Sequence, residues 1–154
     1  MIEMAYDDDE NSMAIKVWRL YVDLWKLWYK KNERNLNKID LSITEFTIMR
    51  HLIENGPMSM AAIASLINVT PGWITGVVDK MEEKNLVTRN RDSTDRRIIK
   101  IAITDRGREV YENAKKNHYA FIRKALAELN ENELQQTYVL LQKMMDDVSK
   151  LESN

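Results

Sequence analysis

Apolar residues recur along this chain with two different periods, and the change from one to the other marks its centre. From Thr70 onward, Ile74, Val77, Val78 and Met81 keep helical spacing, while Gly72, Trp73, Thr75, Gly76 and Asp79 fall on other faces. Thr70 followed by Pro71 suits a helix start: a hydroxyl able to accept from an unpaired N–H, then a residue with φ already locked near the helical value. The helix is expected to stop near Asn85. Beyond it the pattern alternates, and residues 86–89 and 98–103 predict two strands, with Ile99, Ile101 and Ile103 on one face and Lys100 on the other. Residues 90–97, a polar run of turn formers carrying Arg91, Arg96 and Arg97, join them.

The flanking segments read as helices. Residues 1–11 form an acidic leader, expected to be disordered. A long helix is predicted from about Ser12 to about Asn35, with Val17, Leu20, Leu24 and Leu27 on one apolar line and Trp18, Tyr21, Trp25 and Trp28 on a second beside it. Stripes at this spacing are usually packing, so core plus subunit interface is the plain reading; lining of a ligand pocket is a compatible, sharper one. Ser42 and Glu45 have the spacing of a capping box. Phe46, Met49, Leu52 and Ile53 follow as a buried stripe, and Gly56–Pro57 ends the helix. Ser59 is positioned to cap a short third helix over 60–66, with Ile63 and Leu66 inward and Ala61, Ala62 and Ala64 keeping it thin. Short helix, brief turn, second helix and hairpin together make a winged helix-turn-helix. A further helix is predicted from Thr104–Asp105 to about Leu129, with Val110, Tyr111, Ala114, Phe121, Ile122 and Ala125 apolar. The last helix, capped by Asn130 and Glu133, carries Leu134, Tyr138, Leu141, Met144, Met145, Val148 and Leu151 on a near-heptad line.

The fold class expected is therefore mainly α: a winged helix-turn-helix over 42–104 with a small antiparallel β-hairpin wing, and N- and C-terminal dimerisation helices over 12–41 and 105–154. At 154 residues, 12–154 form one domain. The terminal helices bury little against so small a winged core, and pairing with a second copy would hide their stripes, so a homodimer is expected.

Charge sharpens this picture through its distribution. The net charge is −1, so nothing global demands a nucleic acid or a membrane. Yet residues 89–108 hold seven bases (Arg89, Arg91, Arg96, Arg97, Lys100, Arg106, Arg108) against three acids (Asp92, Asp95, Asp105), a local excess of four positive charges. Cysteine is absent, which excludes disulfides and thiolate chemistry. His51 and His118 have no carboxylate at ligand spacing and read as satisfied or surface histidines; no metal or cofactor is expected. No apolar run approaches a membrane span, and a cytoplasmic location is the expectation. No nucleophile with a base at recognisable spacing, phosphate-binding glycine loop or paired-carboxylate motif points to an enzyme.

What remains is a binding surface. A helix N-terminus attracts phosphate, and the major groove admits the helix behind it. Thr70 and Thr75 carry hydroxyls for phosphate or base edges, and Trp73 offers an apolar face for a thymine methyl. The loop arginines are placed for phosphates and an adjacent narrow minor groove. Taken singly each has a plain alternative: an arginine-rich turn is often a solvated loop, and Trp73 could be a core or interface aromatic. Their coincidence favours double-stranded DNA. A winged-helix scaffold that binds protein and never DNA is the competing reading.

Thr44–Glu45–Phe46, Ile63–Ala64, Val69–Thr70, Ile74–Thr75, Leu86–Val87–Thr88–Arg89, Asp95–Arg96–Arg97 and Ile101–Ala102–Ile103–Thr104 together resemble the MarR family of winged-helix transcriptional regulators, over residues 15 to 150. The most specific part is the wing signature: Asp95, any residue, Arg97, then a strand ending in Ile103–Thr104. The resemblance implies that Asp95 orients Arg97 and that Arg97 enters the minor groove. It also implies a homodimeric repressor released by a phenolic or other small lipophilic effector; a two-fold dimer is expected to read a pseudo-palindromic operator. Thr70, Trp73, Thr75 and Lys80 on the helix, with Arg91, Asp95, Arg96 and Arg97 on the wing, are the expected DNA-binding set. Trp18, Tyr21 and Tyr111 are the expected effector pocket. Gly72 and Gly76 depart from the family's frequently polar or basic positions and remove two base readers, which leaves Trp73, Thr75 and DNA shape to carry specificity. Without cysteine, any effector acts by binding.

Overall fold

A computed structural model describes residues 12–151 of the chain. The leader at 1–11 lies outside the described residues. Helix α1 (Met13–Asn37) is followed by α2 (Ile43–Asn55), β1 (Met58–Ser59), α3 (Met60–Leu66), α4 (Pro71–Glu83), β2 (Val87–Arg91), β3 (Ile99–Ile103), α5 (Asp105–Ala125) and α6 (Glu131–Ser149). Two compact units divide the chain, one ending at His118 and the other beginning at Tyr119.

Local chemistry sets the helix starts. Ser42 Oγ accepts from the Glu45 N–H at 3.1 Å while Glu45 Oε2 accepts from the Ser42 N–H at 2.8 Å, so the predicted capping box is formed. Ser59 Oγ caps α3 by accepting from the Ala62 N–H at 3.2 Å. Gly56 stops α2 at φ 76°, a conformation that costs other residues a Cβ clash. The core of the first unit gathers Ile48, Met49 and Leu52 of α2, Ile63 of α3, Ile74, Val78 and Met81 of α4, and Ile101 of β3, all fully buried, with Leu36 from the end of α1. Leu66 departs from expectation. It is half exposed, because Ile63 and Ala64 already fill the inward face of a helix only seven residues long.

The wing is part of a three-stranded antiparallel sheet, order β1-β3-β2, rather than a lone hairpin. Met58 pairs with Ile101 and Ser59 with Lys100, which anchors β3 from its second side. Two residues are too short a strand to show alternation. β2 and β3 pair from Val87↔Ile103 to Arg91↔Ile99, so the outer end of the ladder runs past the core and Ile99 stands half exposed there.

Gly107, in the first turn of α5, permits a contact that its sequence neighbourhood does not announce. A Cβ on it would lie 2.1 Å from the Leu86 carbonyl oxygen and 2.8 Å from Ile103 Cγ1. Further along, His118 Nδ1 lies 3.0 Å from Asn32 Oδ1, and its ring packs 5.2 Å from Phe46. Burial, then the charge of Arg50, hold its pKa below the ordinary histidine value.

In the second unit, α5 ends at Ala125, short of the expected Leu129. Asn130 must be extended (φ −77°, ψ 168°) to cap α6, so the chain leaves helical geometry earlier, and the Leu129 N–H closes on the Leu126 carbonyl at 3.1 Å. Asn130 and Glu133 form the predicted capping box. α6 buries none of its residues; Tyr138, Leu140, Met145 and Val148 are exposed.

Gly107→Ala is expected to destabilise the protein by about 2–3 kcal/mol, since the obstacle is backbone and cannot rotate away; urea unfolding measures it. His118 has a depressed folded-state pKa, so its contribution is complete above the unfolded value of 6.5 and is lost as pH falls from there toward the folded pKa. Thermal midpoints should drop between pH 7.5 and 5.5, and His118→Gln should flatten that drop.

Candidate nucleic-acid interface

α4 offers a long solvent face because its apolar residues occupy only one side. Ile74, Val78 and Met81 point inward, and Gly72, Trp73, Thr75, Gly76, Asp79 and Lys80 point out. Trp73 is 50 % exposed, so it is not a core residue. Thr70 occupies the N-cap position, but its hydroxyl makes no cap bond. Pro71 has no N–H to cap, and the Trp73 and Ile74 N–H groups donate to the Thr70 carbonyl at 3.1 and 3.2 Å instead. The hydroxyl is thus left for an outside partner. Thr75 differs: its Oγ1 donates to the Pro71 carbonyl at 3.0 Å, leaving only acceptor capacity.

The wing loop is ordered by two aspartates. Asp95 Oδ1 accepts from Arg97 Nε at 3.1 Å and from the Arg97 N–H at 3.0 Å, and Asp95 Oδ2 accepts from an Arg97 terminal nitrogen at 3.2 Å. The Arg97 side chain is nevertheless 91 % exposed: a cation held in one orientation and presented to solvent. Asp92 was not singled out by sequence. Its Oδ1 accepts from the Thr94 and Asp95 N–H groups at 2.9 and 3.0 Å, and Lys100 Nζ sits 2.5 Å from Oδ2. The lysine bond, followed by the two backbone donors, holds its carboxyl down at about 2. An aspartate accepting from residues two and three ahead is a familiar turn device, and that was the signal available. Arg91 and Arg96 are exposed and carry no ion pair among the described residues.

One member of the basic excess turns inward. Arg89 on β2 donates to Asp79 and to Glu82 on α4, one carboxylate for each terminal nitrogen. Its side chain is only 28 % exposed, and these partners raise its pKa, the Asp79 hydrogen bond first. Seven and ten residues separate the partners, so the pairing is visible only once β2 is known to return alongside α4. On the opposite flank, Lys84 Nζ donates to the Asp40 carbonyl at 2.8 Å and to Glu45 Oε1 at 3.0 Å, tying the end of α4 to the start of α2.

The residues expected to line an effector pocket do not converge. Trp18 and Tyr21 stack on each other at 5.7 Å on exposed α1, whereas Tyr111 is buried and stacks on Phe46 at 5.1 Å. Two crevices instead flank Trp73. One, about 590 Å³, is lined by Tyr29, Glu33, Trp73, Val77, Lys80 and Lys84; the other, about 500 Å³, by Trp25, Tyr29, Arg50, His51, Leu66 and Trp73 among others. Among the described residues no three His, Asp or Glu side chains converge to hold a metal ion, and no single helix is long and apolar enough to cross a membrane.

The profile of the MarR family matches residues 41–99, the span from Leu41 into β3. The HTH-type transcriptional regulator YpoP of Bacillus subtilis is 41% identical over 100 residues, covering 62% of this chain and 71% of YpoP. The chain belongs to the MarR family. Its fold agrees with that assignment: the transcriptional regulator BldR from Sulfolobus solfataricus superposes with a TM-score of 0.75 at 29% identity, over 90% of this chain and 96% of BldR. FabT of Streptococcus pneumoniae, whose crystal structure is of a complex with DNA, has a TM-score of 0.74 at 21% identity, over 89% of this chain and 98% of FabT. This MarR-family chain is accordingly a transcriptional regulator built on a winged helix-turn-helix.

Asp92 has a depressed pKa, so what it contributes to wing order is full above its unfolded value of 3.8 and is lost as pH falls toward about 2. A carboxyl-carbon NMR titration should find that midpoint, and Lys100→Met should move it upward while the Thr94 and Asp95 amides exchange faster.

Proposed function

We propose that the protein is a dimeric, sequence-specific repressor that reads a pseudo-palindromic operator. In this reading α4 lies in the major groove and each wing reaches the neighbouring minor groove, with half-sites about one helical turn, roughly 10 bp, apart. The single observation that carries it is the wing finger: Arg97, presented to solvent yet oriented by Asp95, in a chain whose helix α4 exposes Trp73, Thr75 and Lys80. Thr70 and Lys80 serve as phosphate contacts, Trp73 and Thr75 as groove contacts, and Arg91 and Arg96 as backbone anchors for the wing. FabT, which shares this fold, was crystallised in complex with DNA, which supports DNA as the partner.

Dimerisation belongs to 12–41 and 105–154. Val17, Leu20, Leu24 and Trp25 of α1 and, on the second unit, Tyr138, Leu140, Met145 and Val148 of α6 are large apolar side chains left exposed to water. A second copy supplies the cover. A small aromatic or lipophilic effector is better matched by the second crevice, beside Trp25, Tyr29, Leu66 and Trp73, than by the first, which Glu33, Lys80 and Lys84 make polar; the Trp18–Tyr21 pair is a further aromatic surface for the same ligand class. The regulator acts in the cytoplasm, where its DNA is.

Binding to an operator selected from random duplexes, followed by fluorescence anisotropy at fixed salt, tests the reading. Arg97→Ala should weaken operator binding about tenfold or more, roughly 1.4 kcal/mol, and Trp73→Ala should relax sequence preference. Failure to select any sequence above random DNA, with a protein partner captured at the same surface, would establish the scaffold reading instead.

A further inference from the structure

We propose that Arg89 is a positioning residue for DNA recognition: by clamping β2 to α4 it fixes the angle between the wing and the recognition helix, so that Arg97 arrives in the minor groove when α4 is seated in the major groove. The proposal rests on the DNA-binding reading above.

The argument is one of leverage. α4 and β2 are joined by a tight turn through Lys84 and Asn85, the latter at φ 57°. At its base the Leu86 N–H donates to the Met81 carbonyl at 2.9 Å. That bond, with the Thr104 contacts to the Leu86 carbonyl, holds the base of the strand, and the strand's angle to α4 hinges there. From Leu86 to Asp92 the strand runs six residues, about 20 Å at roughly 3.3 Å per residue, and a tilt of about 10° there would carry the wing tip about 3.5 Å. That exceeds the tolerance of any hydrogen bond. Arg89 adds a direct side-chain tie from β2 to α4, part-way along the lever. Its backbone is held by the ladder opposite Ile101, which is fully buried, and its guanidinium reaches Asp79 and Glu82, one turn apart on α4. A planar fork gripping two separate carboxylates resists rotation as well as separation, which a lysine cannot do.

The geometry also separates Arg89 from the groove contacts. Its side chain is 28 % exposed against 91 % for Arg97, and both terminal nitrogens are engaged with protein carboxylates. It therefore acts through Arg97 rather than on a phosphate. A purely electrostatic role, cancelling Asp79 and Glu82 near DNA, is the alternative to be separated.

The full-length dimer carrying Arg89→Gln, Asp79→Asn and Glu82→Gln together removes the clamp while leaving the surface one charge more positive. Positioning predicts that this variant binds the selected operator at least tenfold more weakly than wild type, with random-DNA binding not reduced. In its background Arg97→Ala should cost less than threefold, against tenfold or more in wild type. An electrostatic role predicts operator binding as tight as wild type or tighter, with the full Arg97 cost retained; that result overturns the proposal. Arg89→Lys, which keeps the charge and one bond, should fall between the two and serves if the triple variant is poorly folded. A readout without DNA completes the test. The chain has no cysteine, so spin labels on Ser93→Cys and Glu83→Cys, diluted with unlabelled chain, report the wing-to-helix distance directly. Its distribution should broaden without the clamp, and an unchanged distribution overturns the proposal. A wild type that selects no operator overturns both readings, whereas an operator bound equally by wild type and triple variant overturns the clamp alone.

Discussion

Much of this molecule is referenced to the backbone of one residue, Leu86. Its N–H donates to the Met81 carbonyl at the end of α4, and its carbonyl accepts from the Thr104 N–H at 3.0 Å and from Thr104 Oγ1 at 3.1 Å. Thr104 Oγ1 also lies 2.6 Å from the Asn85 carbonyl and accepts from the Gly107 N–H at 2.9 Å. The end of the recognition helix, the start of β2, the end of β3 and the first turn of α5 are thereby tied at one point. Buried backbone groups demand partners, and here satisfying them joins four elements. Gly107 is the steric condition for that junction, since only a residue without Cβ lets α5 come so near the Leu86 carbonyl.

From this junction the binding surface follows by two kinds of commitment. Some polar groups are spent inside the protein: Arg89 on Asp79 and Glu82, Lys84 on Glu45 and Asp40, Lys100 on Asp92. Others are oriented and left presented, Arg97 above all. The division matters because exposed ion pairs are individually weak, so their value lies in geometry. A free surface arginine samples many rotamers, and ordering it on binding costs affinity. Asp95 meets that cost in advance.

The recognition helix itself is sparse. Gly72 and Gly76 sit on its outer face with open space around them and no unusual φ, so neither packing nor backbone strain inside the protein accounts for them. Each weakens the helix by about 1 kcal/mol relative to alanine. The side chains that remain, Trp73 and Lys80 on one flank and Thr75 on the other, put the burden of recognition on an aromatic face, on the wing and on DNA shape.

Period and punctuation in the sequence sufficed for the helices: the spacing of Ile74, Val78 and Met81, the Ser42–Glu45 and Asn130–Glu133 capping boxes, and the Ser59 start are local signals, because each is closed within one or two turns of chain. The Asp95–Arg97 finger was legible for the same reason, lying two residues apart. What only the tertiary structure decided depends on segments that meet after folding. β1 exists because Met58 finds Ile101, 43 positions on, and Tyr111 is core because Phe46 lies against it. Arg89 belongs to the same class: its sequence neighbours mark it as one more base in a positive stretch, and only the return of β2 beside α4 brings it to the carboxylates that take it out of that stretch.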